Sequence, residues 1–166
     1  MRVILLSFLL FVGLGISAQD VNIIPRPVDI KVSASKEPFV INKQTKLVFT
    51  KGDSVEKECK FLNDYLLRYY GFKLNTYDAK DFATAPNSIK FTIGSFPGKK
   101  SIQGSYSLEI TKDQIEIIET YPNQGAFYAI QTLIQLLPSP DPHLKTQKQK
   151  LGLHDLAKVK DQFRPG

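Results

Sequence analysis

Residues 53–70 hold the pattern that most limits what this chain can fold into. Apolar residues recur there at intervals of four, three, four and three, which places them on one stripe of an α-helix. The stripe consists of Val55, Cys59, Leu62, Leu66 and Tyr69, and it is widened by Phe61 and Tyr65. A helix with one apolar side must bury that side, so the fold needs a second layer that covers it.

The ends of this segment match helix boundaries. Asp53 stands where an N-cap is expected, and Glu56 follows three residues later, as in a capping box. Gly71 follows the last turn and predicts a left-handed C-cap. The sequence therefore predicts a helix over residues 53–70.

The covering layer is indicated by segments in which apolar and polar residues alternate, which is typical of strands with one buried face. The predicted strands are 28–32, 38–41, 47–50, 72–76, 89–93, 106–110 and 115–117. The last two are joined by a short polar turn and predict a hairpin. A second amphipathic helix begins near Asn123 and is stopped by Pro138. We therefore expect an α+β fold, a mixed β-sheet of about six or seven strands with two amphipathic helices packed on one face.

The first eighteen residues predict a secretory signal peptide. Arg2 precedes an apolar run that extends to Val12, and the small residue Ala18 ends the segment. A membrane anchor is the alternative, but it needs roughly 20 apolar residues and this run is shorter. We expect cleavage after Ala18 or Gln19, export to the periplasm or the extracellular space, and no membrane attachment afterwards.

The chain is thus divided into a signal peptide at 1–18, one domain at 19–138, and a linker-like tail at 139–166. Residues 145–150 alternate lysine and glutamine without apolar periodicity, so we expect the tail to be loosely ordered. The tail has six basic residues against three acidic ones, which is half of the net charge of +6. Because the charge is not placed on an ordered face with interleaved aromatic residues, it does not indicate a nucleic-acid partner.

Cys59 is the only cysteine, so no disulfide can form within the chain. Its place on the apolar stripe predicts a buried and unreactive thiol.

Three motif segments lie at residues 24–27, at 106–110 with 115–117, and at 125–138. Together they resemble the small domain that precedes the catalytic barrel in glycoside hydrolase family 20. Ile24-Pro25-Arg26-Pro27 is similar to the PxP opening of that domain. Residues 106–110 and 115–117 resemble its Y-x-L-x-I … I-x-I hairpin. Residues 125–138 are similar to its G-x-F-Y-A-x-Q-T-L-x-Q-L helix, the most specific of the three motifs. In this order they cover roughly residues 21–138.

The resemblance implies a zincin-like α+β domain, although no His-Glu-x-x-His metal motif is present. In full-length members a (β/α)₈ barrel follows and removes terminal β-linked N-acetylglucosamine or N-acetylgalactosamine. The sugar's own acetamide oxygen is the nucleophile, and an adjacent Asp-Glu pair of the barrel assists it. The sequence does not extend to the position of that pair. Residues 157–164 resemble a damaged D-x-P-R-F-x-x-R-G barrel start, and Arg164 does not match the arginine that grips the substrate.

We therefore expect no catalytic residues, no cofactor and no metal ligands in this chain. The expected partner is the barrel normally present in the same chain, and N-acetylhexosamine glycans are a second possible partner. The leading hypothesis is a non-catalytic domain that supports the barrel and is inactive alone. A carbohydrate-binding module is the alternative, and a self-sufficient enzyme is the third hypothesis.

Four carboxylates are considered as catalytic groups. Asp113 and Glu116 are close in sequence, but they fit a turn residue and an outward strand residue. Glu56 and Glu58 are explained by capping or solvation on the polar side of the first helix.

Histidine and tyrosine patterns also favour structural roles. His143 and His154 lie in the tail without partners at metal-ligand spacing. Several aromatic residues could form a sugar-stacking platform, but core packing, or burial against a sheet or the barrel, explains them better. These residues are Tyr65, Tyr69, Tyr70, Phe72, Tyr121 and Tyr128.

Overall fold

The structure is a computed structural model, and it describes residues 23–31, 38–52, 54–82, 84–96, 102–120, 124–139, 151–153 and 158–161. This part of the chain contains two α-helices, nine β-strands and a short 3₁₀ turn at Ala79–Asp81. The strands are β1 (Asp29–Lys31), β2 (Phe39–Ile41), β3 (Lys46–Phe49), β4 (Asn75–Asp78), β5 (Ser88–Ile93), β6 (Tyr106–Ile110), β7 (Gln114–Glu119), β8 (Leu151–Leu153) and β9 (Lys158–Asp161).

Helix α1 spans Val55–Tyr70. Gly71 ends it with φ 74°, and its backbone N–H donates to the Leu67 carbonyl at 3.1 Å. The predicted left-handed cap is therefore confirmed. At the other end Ser54 precedes the helix without a capping hydrogen bond from its side chain. The predicted capping box depends on Asp53, which lies outside the described residues.

Helix α2 spans Gly125–Leu136, and Leu137 adopts an extended conformation directly before Pro138. That stop was predicted, because the residue before a proline disfavours the helical conformation. The predicted start at Asn123 lies outside the described residues.

Seven strands form one mixed sheet in the order β1-β9-β6-β7-β5-β3-β4. Strands β4, β3, β5 and β7 are mutually parallel, whereas β7, β6, β9 and β1 pair in antiparallel fashion. Strands β2 and β8 form a separate antiparallel pair. The two helices contact each other and lie on the same face of the sheet, α1 over β3 and α2 over β6 and β7. The α+β fold and the β6–β7 hairpin are therefore confirmed.

The core lies between the helices and this face of the sheet. Leu47, Ile89, Ile115 and Ile110 form one row of Cα partners across four strands, and all four are buried. Each such side chain contributes roughly 1.5–3 kcal/mol when fully buried. On the other face the row Lys90, Glu116 and Glu109 is charged, and it ends on β3 at the buried Val48.

The strand predicted at 72–76 is formed further along the chain, as β4 at Asn75–Asp78. The Asn63 side chain explains the shift, because it binds both backbone groups of Leu74. Its amide nitrogen donates to the Leu74 carbonyl at 3.0 Å, and its oxygen accepts from the Leu74 N–H at 2.7 Å. Leu74 is therefore buried beneath α1 and has no backbone groups left for strand pairing.

Two described segments of the tail form strands, although the tail was predicted to be loosely ordered. Strand β8 pairs with β2, and β9 lies between β1 and β6 with Ile30 and Leu108 opposite Val159. The one apolar residue of β9 is too weak a pattern to predict a strand. Its pairing is set by the two strand edges that it joins, which are distant in sequence.

Candidate functional site

A cavity of about 660 Å³ opens beside the first half of α1, against Phe49 of β3 and Thr76 of β4. Among the described lining residues the single carboxylate is Glu56, which lies near Lys57 and Lys60 along the same wall. Retaining glycosidases use two carboxyl groups held about 5 Å apart. The described part of this cavity does not provide such a pair.

Asp113 and Glu116 do not converge on this cavity. Asp113 is exposed in the β6–β7 turn, where its carbonyl accepts a hydrogen bond from the Asn87 N–H at 2.7 Å. Glu116 lies on β7 on the sheet face opposite the helices, with Lys90 and Glu109 as its neighbours across the strands. These placements match the predicted turn residue and outward strand residue.

Glu56 and Glu58 have different surroundings. Glu56 is exposed, as expected for a solvated side chain. Glu58 is half-buried, and one of its carboxylate oxygens has no hydrogen-bond partner among the described residues. Glu58 is therefore less accessible to solvent than the solvated side chain that was predicted.

Cys59 is buried beneath α1. Burial raises the pKa of the thiol well above its ordinary value, and the negative charge of Glu58 adds to this effect. The thiol therefore stays protonated and unreactive at neutral pH, as predicted.

Several predicted positions lie outside the described residues. They are Tyr121, His143, His154 and Arg164. Within the described ranges no cluster of histidine, cysteine and acidic side chains is suited to holding a metal ion. None of the described helices has the length and apolar character needed to cross a bilayer.

The aromatic residues of α1 do not share one environment. Phe72 is buried, whereas Tyr69 remains 45 % exposed. Tyr70 is half-buried, and its hydroxyl donates to the Pro138 carbonyl at 2.6 Å, which joins the ends of the two helices. Core packing therefore explains Phe72 and Tyr70 but not Tyr69.

An exposed aromatic surface across both helices was missed by the sequence analysis. Phe61 of α1 and Phe127 of α2 are 42 % and 43 % exposed, and their ring centroids are 6.3 Å apart. The sequence pattern placed Phe61 on the buried stripe of α1, and Phe127 belongs to the second amphipathic helix. The sheet covers only the centre of each stripe, so the residues at the edges of the stripe face outwards. In the sequence, the one sign of this exposure is that these residues lie at the edge of the helical stripe rather than at its centre.

The residues of the three sequence motifs bind one another. The Ile24 backbone N–H and carbonyl pair with the Gln135 side-chain amide of α2, each at 2.9 Å. The Tyr106 hydroxyl of the hairpin bonds the Thr132 hydroxyl of α2 at 2.5 Å. Polar groups of the motifs therefore hold α2 to the hairpin and to the opening segment.

Gly125 and Glu119 fix the start of α2. A Cβ added at Gly125 would lie 2.6 Å from the Ser105 carbonyl oxygen and 2.7 Å from the Glu119 Cβ, so only glycine fits. The buried Glu119 carboxylate accepts a hydrogen bond from the Ala126 N–H at 3.0 Å, in the first turn of the helix. A carboxylate at that end also interacts favourably with the helix dipole.

A sequence model described as glycosyl hydrolase family 20, domain 2, matches residues 20–154, most of the chain. The chain belongs to glycosyl hydrolase family 20. No curated protein is similar enough to count as a match.

Solved structures of this family share the fold. An exo-β-N-acetylglucosaminidase from Vibrio harveyi is 22 % identical with a TM-score of 0.61, over 82 % of this chain and 18 % of its own. A β-hexosaminidase from Streptomyces plicatus is 21 % identical with a TM-score of 0.62, over 84 % of this chain and 26 % of its own. A chitobiase from Flavobacterium johnsoniae is 23 % identical with a TM-score of 0.54, over 85 % of this chain and 20 % of its own. The family 20 chain described here therefore spans about a fifth to a quarter of the length of these proteins.

Proposed function

We propose that this chain is the non-catalytic amino-terminal domain of a β-N-acetylhexosaminidase and supports a catalytic (β/α)₈ barrel. Its membership of family 20 supports this proposal. The three solved relatives extend far beyond the matched domain, since the match covers only 18–26 % of their chains. Hydrolysis of terminal N-acetylglucosamine or N-acetylgalactosamine would then belong to the barrel.

This proposal rests on the observation that the residues of the family motifs make structural contacts within the domain. Gly125, Tyr106, Thr132 and Gln135 hold the second helix to the rest of the domain. A catalytic motif would instead direct its polar groups into a cleft. The single carboxylate among the described residues of the cavity agrees with this interpretation.

The alternative, a carbohydrate-binding module, requires aromatic side chains aligned on a solvent-facing strand. On the outer face of the described strands Tyr77 is the aromatic residue, and it packs edge-on against Phe82 with centroids 4.8 Å apart. Exposed aromatic rings lie on the helices instead. Calorimetric titration of the chain with N-acetylglucosamine oligomers tests this alternative, and saturable heat would favour it over the supporting role.

Export is part of the same proposal. It rests on residues 1–18, which lie outside the described residues but have the composition of a signal peptide. Amino-terminal sequencing of the protein recovered from the producing cells should give a start after Ala18 or Gln19. A start at Met1 would contradict export by this route.

A fusion tests the supporting role directly. The catalytic part of the Streptomyces plicatus β-hexosaminidase is prepared alone and with residues 20–161 of this chain in place of its own matching segment. We expect the fused domain to raise the temperature at which hexosaminidase activity is lost, because docking stabilises only the folded barrel. Equal inactivation temperatures with and without the domain would contradict the proposal.

A further inference from the structure

The cavity beside α1 has a positively charged wall that the proposed supporting role does not use. Lys57, Lys60 and Lys73 line this cavity, and Glu56 is the single carboxylate among its described lining residues. These residues therefore carry a net charge of +2 at neutral pH. A concave surface lined by one sign of charge raises the local concentration of ligands of the opposite sign.

The three lysines lie on one side of the helix. Lys57 and Lys60 are three residues apart on α1, so their side chains are neighbours one turn apart. Lys73 reaches the same side, because its Nζ lies 3.1 Å from the carboxylate of Asp64, four residues after Lys60. Like charges at this spacing repel each other, and a bound anion would relieve the repulsion. The arrangement therefore favours an anionic ligand.

Other groups of the chain compete only weakly for these lysines. Lys73 and Asp64 are about half exposed, and ion pairs of this kind contribute little to stability. Lys73 can therefore exchange Asp64 for a ligand at small cost. Lys57 and Lys60 are exposed, and neither forms an ion pair with another described residue.

Ser54 adds a hydrogen-bonding group where the cavity meets the start of α1. Its Oγ is buried and has no hydrogen-bond partner among the described residues. Buried polar groups are nearly always hydrogen-bonded, so an exception calls for an explanation. Because this hydroxyl makes no hydrogen bond within the described structure, turning it towards a ligand would break none.

The size of the cavity and the apolar part of its lining restrict the ligand further. A volume of about 660 Å³ is within the range of roughly 300–1,000 Å³ that is usual for small-molecule pockets. Phe49, which is 4 % exposed, and Gly52 provide an apolar surface against which an organic group can pack. A phosphate monoester carries about 1.5–2 negative charges at neutral pH, which matches the charge of the lining.

We propose that this cavity binds a small phosphate monoester. Lys57, Lys60 and Lys73 hold the phosphate through charge-assisted hydrogen bonds, and the Ser54 hydroxyl donates a further one. The organic group of the ester packs against Phe49. This binding goes beyond the proposed supporting role, which depends on other residues.

A nuclear magnetic resonance titration of the ¹⁵N-labelled chain tests the proposal with glucose 6-phosphate, inorganic phosphate and glucose at constant ionic strength. Glucose 6-phosphate should shift the backbone amide signals of residues 54–60 until the site is saturated. Inorganic phosphate should bind more weakly, and glucose should give no saturable shift. Inorganic phosphate that binds as tightly as the ester would indicate an adventitious ion only. Either that result or the absence of saturable shifts with glucose 6-phosphate would overturn the proposal.

Variants of the chain locate the site. The double variant Lys57→Gln, Lys60→Gln should bind glucose 6-phosphate at least roughly tenfold more weakly, because it loses two charge-assisted hydrogen bonds. Asp64→Asn should bind it more tightly, because the substitution releases Lys73 from its ion pair.

Lys43→Gln is the matched control and should bind as the parent chain does. Lys43 is an exposed lysine in the turn before β3, and it does not line the cavity. The replaced side chains of all these variants are exposed, so the fold should be kept. Equal affinities of the parent chain and the double variant would overturn the assignment of the site to this cavity.

Discussion

At the scale of single residues, Gly125 is a position where packing leaves no room for a side chain. A methyl group there would meet a backbone carbonyl and a Cβ, neither of which can rotate away. Overpacking of this kind costs about 1–3 kcal/mol, so we predict that Gly125→Ala lowers the free energy of unfolding by that amount in urea titrations. Replacing a glycine inside a helix by alanine usually increases the stability of the protein, and this increase should be absent here.

Gly71→Ala is a comparison variant in which the loss of stability has a different cause. No atom lies within 4 Å of a Cβ added at Gly71, so its cost of roughly 1 kcal/mol would come from the positive φ alone. A Gly125→Ala variant as stable as the parent chain would contradict the close approach of α2 to Ser105.

Tyr70 should make the free energy of unfolding depend on pH in the alkaline range. Burial raises the pKa of its hydroxyl from 10.0 to about 12, with a further contribution from Tyr65. The unfolded chain therefore releases this proton at a lower pH than the folded chain does. The stabilisation is complete below about pH 10 and is lost as the pH rises to about 12.

Urea titrations between pH 8 and pH 12 check this dependence. Tyr70→Phe should lose about 1 kcal/mol at neutral pH, from the missing hydrogen bond to Pro138. Its stability should then decline less steeply above pH 10 than that of the parent chain. Equal declines would mean that Tyr70 titrates as an exposed tyrosine does.

At the scale of elements, the sequence pattern correctly predicted those features that depend on residues close together in the chain. The stripe of α1, the Gly71 cap and the β6–β7 hairpin are each specified by residues near one another in sequence. The start of β4 is not, because the Asn63 side chain holds Leu74 across a gap of eleven residues. Nor is the position of β9, since its pairing partners β1 and β6 are remote from it in sequence. The exposed flank of α1 was missed because helical spacing defines a stripe but not how much of it is covered.

Asn63 should therefore be important for joining α1 to the strand that follows. Asn63→Ala removes two hydrogen bonds and leaves the buried backbone groups of Leu74 without partners. Each buried group left without a partner costs about 1–3 kcal/mol, so for the two groups we predict a loss of roughly 2–6 kcal/mol in urea titrations.

Asp64→Ala is the matched control on the neighbouring residue. Its ion pair with Lys73 spans 3.1 Å between side chains that are about half exposed. Such pairs contribute about 0–1 kcal/mol. Equal effects of the Asn63 and Asp64 substitutions would contradict the role of Asn63.

At the scale of the whole molecule, strand β9 of the tail is part of the seven-stranded sheet. A chain ended at residue 139 would leave β1 without its sheet partner and expose the outer edge of β6. Open strand edges promote association. We predict that this shortened chain loses cooperative unfolding and aggregates, whereas a chain ended at residue 161 behaves as the parent. Circular dichroism and sedimentation measure both properties, and a cooperative monomer ending at residue 139 would contradict the contribution of β9.

The account of function depends on the chain having no catalytic activity of its own. The decisive measurement is release of 4-nitrophenol from 4-nitrophenyl N-acetyl-β-D-glucosaminide by the purified chain. Its Glu56→Gln variant serves as the reference, because Glu56 is the single described carboxylate of the cavity. We predict the same background rate for both proteins. Turnover by the parent chain that the Glu56→Gln variant lacks would contradict the account.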